Sequence, residues 1–153
     1  MIQKQTKSRG FTIVELLIVI IVIAILAAIT IVAYNGVQNR ARTSATQSSA
    51  VAVQKKLEAF NAATGAYPVT GSSIVTQLGT VNESSMAGSG ITIQAAAPTS
   101  ASTTSTVQVQ ICTAPANATG YNVTYYNFTT SATVTINGGT NGTTCTTYTN
   151  VTP

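Results

Sequence analysis

The chain of 153 residues contains no histidine, no aspartate and no tryptophan, and its only acids are Glu15, Glu58 and Glu83. These absences remove whole classes of chemistry. Without His or Asp, neither a Ser-His-Asp nor a Cys-His relay can be built. Glycosidic chemistry on two carboxylates would have to draw on Glu58 and Glu83, which nothing in the sequence pairs. Zinc sites are built from clustered Cys and His, and calcium sites from several acidic ligands. The chain supplies neither set. The composition therefore argues against an enzyme, with no catalytic residue, no cofactor and no metal expected.

One long apolar run dominates what is there. Between Phe11 and Ala33 the only polar side chains are Thr12, Glu15 and Thr30. The run is about 23 residues, or roughly 34 Å as a helix, against a hydrocarbon core of about 30 Å. It holds no Gly or Pro, so nothing in it forces a kink. It exceeds the apolar region of a secretory signal, about 7–15 residues, and no Ala-x-Ala site follows it. The run reads as a retained membrane-spanning helix.

Lys4, Lys7 and Arg9 precede the run and Arg40 and Arg42 follow it, so charge alone only suggests a cytoplasmic N-terminus. Cys112 and Cys145, the only cysteines, both lie in the polar C-terminal region. They lack Cys-x-x-Cys spacing and have no histidine to share a metal, so they read as a disulfide rather than a metal site. The alternative is a pair of free buried thiols. A disulfide needs an oxidising compartment, which sets the tail outside and the leader inside.

Glu15 is the anomaly of the run. A carboxylate at a membrane helix centre costs roughly 2.5–3.5 kcal/mol on insertion scales and less near an interface. First-turn placement returns about 0.3–1 kcal/mol through the helix dipole. One reading is an acid that reaches the headgroups. The other needs a cation, and no Lys, Arg or His lies inside the run. A new α-amino group at Phe11, released by a cut after Gly10, would supply one. Between neighbouring chains that pair would make Glu15 an assembly determinant.

The stretch Gly10-Phe11-Thr12-Ile13-Val14-Glu15-Leu16-Leu17-Ile18-Val19 resembles the N-terminal signature of type IV prepilins and pseudopilins. Ile25-Leu26-Ala27-Ala28-Ile29, Ala33-Tyr34-Asn35 and Gln38-Asn39-Arg40-Ala41-Arg42 are similar to its continuation, and Ala66-Tyr67-Pro68 resembles a junction common in these families. The resemblance covers about the first third of the chain. It implies that a prepilin peptidase cuts after Gly10 and N-methylates Phe11. It also implies that Glu15 guides docking through a neighbour's Phe11 amine, and that the apolar helices leave the bilayer to bundle as a filament core. Many pilins carry a proline where this chain has Val32, at a point where the helix melts in the filament; Gly36, a weak helix former, is a softer substitute. Major pseudopilins often carry an acidic calcium loop near the C-terminus, and this chain has none.

Beyond Ala33 the helix continues. Ala50, Val53, Leu57 and Phe60 step by three or four and form one apolar face. Lys55, Lys56 and Glu58 fall off that stripe as solvated charges. Gly65 and Pro68 mark the stop. From Gly65 onward Thr, Ser, Asn, Gly and Val dominate. Ile74 to Leu78 reads as a short helix or turn. Alternating runs at Ile91–Ala95, Thr106–Cys112, Tyr121–Phe128 and Ala132–Ile136 read as strands, with Thr144–Tyr148 as an added edge. Ala97–Ser105 reads as an exposed loop, and Asn137-Gly138-Gly139 and Asn141-Gly142 as turns. The head has few large apolar residues, so a disulfide closing its C-terminal loop would matter, at roughly 3.5–4 kcal/mol in the chain-entropy model.

The formal net charge is +4. Without a leader the side chains Arg40, Arg42, Lys55 and Lys56 oppose three glutamates, a near-neutral balance. The strand runs hold no Lys or Arg, so specific nucleic-acid binding is not expected. Triplets such as Asn122-Val123-Thr124 and Asn127-Phe128-Thr129 match the sequon pattern by composition.

The expected fold is α+β: a long N-terminal helix packed on a small antiparallel β-sheet head with one disulfide. The expected organisation is a leader at 1–10, a transmembrane or filament-core helix at 11–33, an amphipathic continuation at 34–64 and an extracellular head at 65–153. The resemblance implies a filament subunit whose partners are other copies of itself or related pilins, the prepilin peptidase, an inner-membrane assembly platform and, before assembly, membrane lipid. The alternatives are a pseudopilin of a secretion or DNA-uptake system and a single-span anchored binding domain that never polymerises.

Overall fold

A computed structural model of the chain describes residues 10–68, 73–114, 120–139, 145 and 147–151. The leader residues 1–9, with Lys4, Lys7 and Arg9, and the Asn141-Gly142 turn lie outside the described residues. The chain divides into two compact units between Gln38 and Asn39. Each is described by itself.

The first unit is the apolar part of helix α1 (Ile13–Thr64). Its large side chains from Phe11 to Val37 are exposed on every side; Ile18 is 55% exposed, Ile20 57% and Val22 47%. A helix apolar all round has no packing face of its own and calls for lipid or other helices. The expected start at Phe11 moves to Ile13, because Thr12 caps the helix.

The second unit begins with the remainder of α1. Ala50, Val53, Leu57 and Phe60 are buried as the stripe predicted, joined by Thr46. Thr46 is tolerated there because its hydroxyl donates to the carbonyls of Thr43 and Tyr126. Gly65, at φ +78°, ends the helix, donating its N–H to the Asn61 carbonyl at 2.8 Å. Then come α2 (Ile74–Leu78) and a 3-10 turn at Asn82–Ser84. Ile74 and Leu78 are fully buried.

Five strands follow: β1 (Thr92–Gln94), β2 (Thr106–Ala114), β3 (Tyr121–Asn127), β4 (Ala132–Gly138) and β5 (Thr147–Asn150). The order is β1-β2-β3-β4, and β5 also pairs with β2. The sheet is mixed, not purely antiparallel as expected. β1 lies parallel to β2 with Thr92 opposite Thr106, while every other pair is antiparallel. The cause is the connection from Gln94 to Thr106, which is long enough to return to the start of the next strand, whereas a hairpin would need a tight turn. Val107, Val109, Ile111, Tyr121, Val123 and Tyr125 face α1 and α2 to form the core.

A further expectation shifts. Asn137 and Gly138 belong to β4 rather than to a turn, because Gly138 pairs with Tyr121; only Gly139, at φ +81°, has turn geometry. The edge strand is described at Thr147–Asn150; Thr144 and Thr146 of the expected Thr144–Tyr148 edge lie outside the described residues. There Asn150 meets Gln110, and its Oδ1 accepts from Gln108 Nε2 at 3.0 Å and Gln110 Nε2 at 2.9 Å. Those amides anchor β5 where β1 ends, since Gln108 Nε2 also donates to the Ala95 carbonyl at 2.7 Å.

Candidate functional site

The residues singled out for processing and assembly sit at the start of α1. Gly10 and Phe11 precede the helix and are exposed, Phe11 at 80%. A Cβ at Gly10 would meet no atom within 4 Å, and its φ is not in the left-handed range. Within the described residues nothing therefore requires glycine at this position.

Glu15 sits in the first turn, and its geometry adds something the sequence reading overlooked. Its Oε2 accepts from the Thr12 backbone N–H at 3.0 Å and from the Thr12 hydroxyl at 2.7 Å. The Glu15 N–H in turn donates to Thr12 Oγ1 at 3.3 Å. This is a capping box, in which residue and cap satisfy each other's orphan donors. Its Thr-x-x-Glu signal stands in the sequence at Thr12 and Glu15. The box offsets part of the cost of a carboxylate in this setting without any cation. It uses only atoms from Thr12 onward, so it does not depend on the leader.

Cys112 and Cys145 form a disulfide in the second unit. It ties β2 to the segment that leads into β5. The structure therefore divides the named residues into two groups. Gly10, Phe11 and Glu15 lie together along the first unit, and the cysteines lie in the second.

Glu58 is not the solvated charge that its place beside the stripe suggested. Its carboxylate is half-buried and accepts the Tyr121 hydroxyl at 2.7 Å and the Tyr67 hydroxyl at 3.0 Å, one on each oxygen. The two rings meet edge to face with centroids 5.1 Å apart. Burial first, and then the adjacent Glu58 carboxylate, push the Tyr67 phenol up to about 12; the same causes raise Tyr121 further. The Tyr121 ring lies across Gly138, where any Cβ would collide with it. An aromatic covering a cross-strand glycine restores packing that the glycine lacks. The cluster thus joins α1, the segment after it, β3 and β4. Neither tyrosine was legible as a partner, because the contacts span 9 and 63 residues. Lys56 donates to the Glu83 carbonyl at 2.8 Å at an exposed position.

At the other end of the head, Arg42 stacks on Phe128 with its guanidinium carbon 3.9 Å from the ring centroid. Asn127 Oδ1 accepts from the backbone of Thr129 at 2.9 Å and Thr130 at 3.1 Å. That makes Asn127 a turn-forming residue and gives its sequon a structural explanation.

Residues 5–31 match the family model described as the prokaryotic N-terminal methylation motif, the N-terminal signature of type IV pilins and pseudopilins. Comparison with curated proteins and with solved structures gave no match.

Proposed function

We propose that the chain is the structural subunit of a type IV pilus-like extracellular filament. The observation that carries this reading is the union of the methylation motif at 5–31 with a helix whose large apolar side chains are exposed on every face from Ile13 to Val37. A motif-bearing anchor with no packing face of its own can satisfy itself first in lipid and then in a bundle of identical helices. In this reading a prepilin peptidase cuts after Gly10 and N-methylates Phe11. The glycine without a local conformational role supports that, since a protease subsite gives it one. The precursor sits in the inner membrane with its N-terminus cytoplasmic and its head outside. An assembly platform then extracts it into a surface filament.

Glu15 has two tasks in sequence. In the lipid-bound subunit its carboxylate is held by Thr12. In the filament it accepts the Phe11 ammonium of a neighbour, a charge-assisted contact stronger than the neutral donors it replaces. The head, with its disulfide and its Thr- and Asn-rich sheet, forms the outer surface. No enzymatic role is proposed, and a mechanical subunit needs none.

A pseudopilin of a secretion or DNA-uptake machine shares the motif and the anchor. It is the second reading; long surface filaments favour the first and a short periplasmic fibre the second. The substitution Glu15→Val tests the docking role. The variant is expected to insert in the membrane at normal levels and to be largely missing from sheared surface material. Normal filaments from it would overturn the role, and Glu15 would be left as an interfacial, self-capped acid.

A further inference from the structure

The strand β4 has one neighbour. Its ladder with β3 runs unbroken from Tyr121 opposite Gly138 to Asn127 opposite Ala132, and among the described residues no strand pairs with its other edge. Natural edge strands are usually short, charged, bulged or interrupted by proline. β4 has none of these protections. It is seven residues of Ala-Thr-Val-Thr-Ile-Asn-Gly in unshifted register. Val134 and Ile136 point to the core side, where they are only half-buried. Thr133, Thr135 and Asn137 point to the outer side and are exposed.

We infer that β4 pairs antiparallel with β4 of a second copy of this chain, about a two-fold axis through Thr135, so that two heads share one continuous sheet. The strand's own sequence selects this occupant. A two-fold axis at Thr135 sets Val134 opposite Ile136 of the second copy, Thr133 opposite Asn137, Ala132 opposite Gly138 and Thr135 opposite itself. Every residue of the strand is then paired. On the core side apolar side chains meet apolar ones, and each covers surface that its own head leaves open. On the outer side hydroxyls and amides meet, as the hydroxyls of Thr124 and Thr135 already do at 3.0 Å within one head. The small Ala132–Gly138 pair leaves room for the Tyr121 ring that lies across Gly138. Centring the axis on Val134 or Ile136 keeps the faces matched but leaves two residues of each strand unpaired. Parallel pairing of the two edges is the less stable arrangement.

Charge points to the same occupant. A patch that binds its own copy meets its own charges, so any Lys, Arg, Asp or Glu on it would repel. None of these residues follows Glu83, and every strand of the sheet lies beyond it. Symmetry then fixes the consequence. A contact of one patch with the same patch closes on itself, whereas the successive subunits of one filament meet through different patches. The β4–β4 contact therefore joins heads of separate filaments and ties filaments side by side. The pairing itself does not need the filament-subunit reading; the tying of filaments rests on it. A single seven-residue edge binds weakly, and many edges along two adjoining filaments bind jointly.

Cross-linking on the full chain in cells tests this. Thr135 lies on the axis, so in Thr135→Cys the two copies of the substituted residue come within about 4.5–5.5 Å of each other, inside the reach of a short bis-maleimide. Ala132 is equally exposed, but it pairs with Gly138 and so lies six residues along the strand from its own copy, about 20 Å and out of reach. The native Cys112–Cys145 pair is oxidised and does not react. The expected result is dimers from Thr135→Cys in sheared material and none from Ala132→Cys. Thr133→Cys with Asn137→Cys is the second variant, likewise expected to stop at dimers, with parental chain abundance in the membrane as the folding control. Thr135→Lys and Thr135→Glu each set like charges across the axis. Electron micrographs are expected to show bundled filaments from the parent, dispersed filaments from either variant alone and bundles again when the two are mixed. Sheared filaments that give no dimers with both cysteine variants, or Thr135→Lys filaments as bundled as the parent, would overturn the pairing and leave the filament reading intact. Dimers in the membrane with nothing in the sheared fraction would support the pairing and refute the filament reading. Neither dimers nor sheared chain, at parental abundance in the membrane, would refute both. Dimers from Ala132→Cys as abundant as those from Thr135→Cys would mean chance contact and overturn the axis at Thr135.

Discussion

Replacing Tyr121 by phenylalanine removes one hydroxyl from the centre of the head and leaves the ring. The ring is fully buried and stacks edge to face on Tyr67, so packing is retained. What is lost is a 2.7 Å hydrogen bond to the Glu58 carboxylate. Hydrogen bonds to charged groups contribute about 1.5–3 kcal/mol net. Glu58 is half-buried, so water can partly replace the missing donor, and the expected loss lies near the lower end of that range. Tyr67→Phe breaks a longer bond, 3.0 Å, to the other carboxylate oxygen and is expected to cost no more. The double variant should cost less than the sum, because a carboxylate freed of one phenol is already rehydrated when the second is removed. Glu58→Leu is expected to be the worst of the set, since it strands two phenols, at about 1–3 kcal/mol for each unsatisfied group. Urea unfolding of the full chain in detergent, disulfide intact, followed by tyrosine near-ultraviolet circular dichroism, measures all four. A Tyr121→Phe variant within about 0.5 kcal/mol of the parent, the range of an ordinary surface change, would refute the reasoning.

The same cluster predicts an alkaline limit to stability. The folded-state phenol of Tyr67 is raised to about 12, above the unfolded value of about 10, so its contribution is intact below pH 10 and is lost as the pH climbs from 10 through 12. Absorbance at tyrosinate wavelengths should show Tyr67 and Tyr121 ionising only above pH 10 and together with unfolding; independent ionisation of both near pH 10 would contradict the buried geometry. Gly138→Ala sets a Cβ against the Tyr121 ring and is expected to destabilise by about 1–3 kcal/mol, as overpacking does. Gly36→Ala meets open space and should be neutral or stabilising in the isolated chain, so equal effects at the two glycines would be inconsistent with this packing. Replacing Cys112 and Cys145 by serine opens a crosslink across 33 residues and is expected to cost roughly 3.5–4 kcal/mol in the chain-entropy model, read as a lower urea midpoint.

The parts of the fold legible in the sequence were those set by short-range pattern. Ala50, Val53, Leu57 and Phe60 repeat with the helix period, and all four are buried. The β2 and β3 strands alternate every second residue, and their apolar positions fill the core. Direction was not legible. Alternation is the same whether a strand pairs parallel or antiparallel, so β1 carried no mark of its orientation. Asn137-Gly138 carried a turn signal that the register with Tyr121 overrode, since the glycine serves the aromatic ring. Glu58 read as solvated because its partners come from β3 and from beyond the helix end. The Thr12–Glu15 cap was legible in the Thr-x-x-Glu spacing, which satisfies the carboxylate without a cation.

Mass spectrometry of the N-terminal peptide from sheared surface material tests the central claim most directly. The filament-subunit account predicts a chain that begins at N-methylated Phe11, with Gly10 and everything before it removed. An intact leader on a chain confined to the membrane fraction would contradict it, leaving an anchored domain whose Glu15 does no more than cap its own helix.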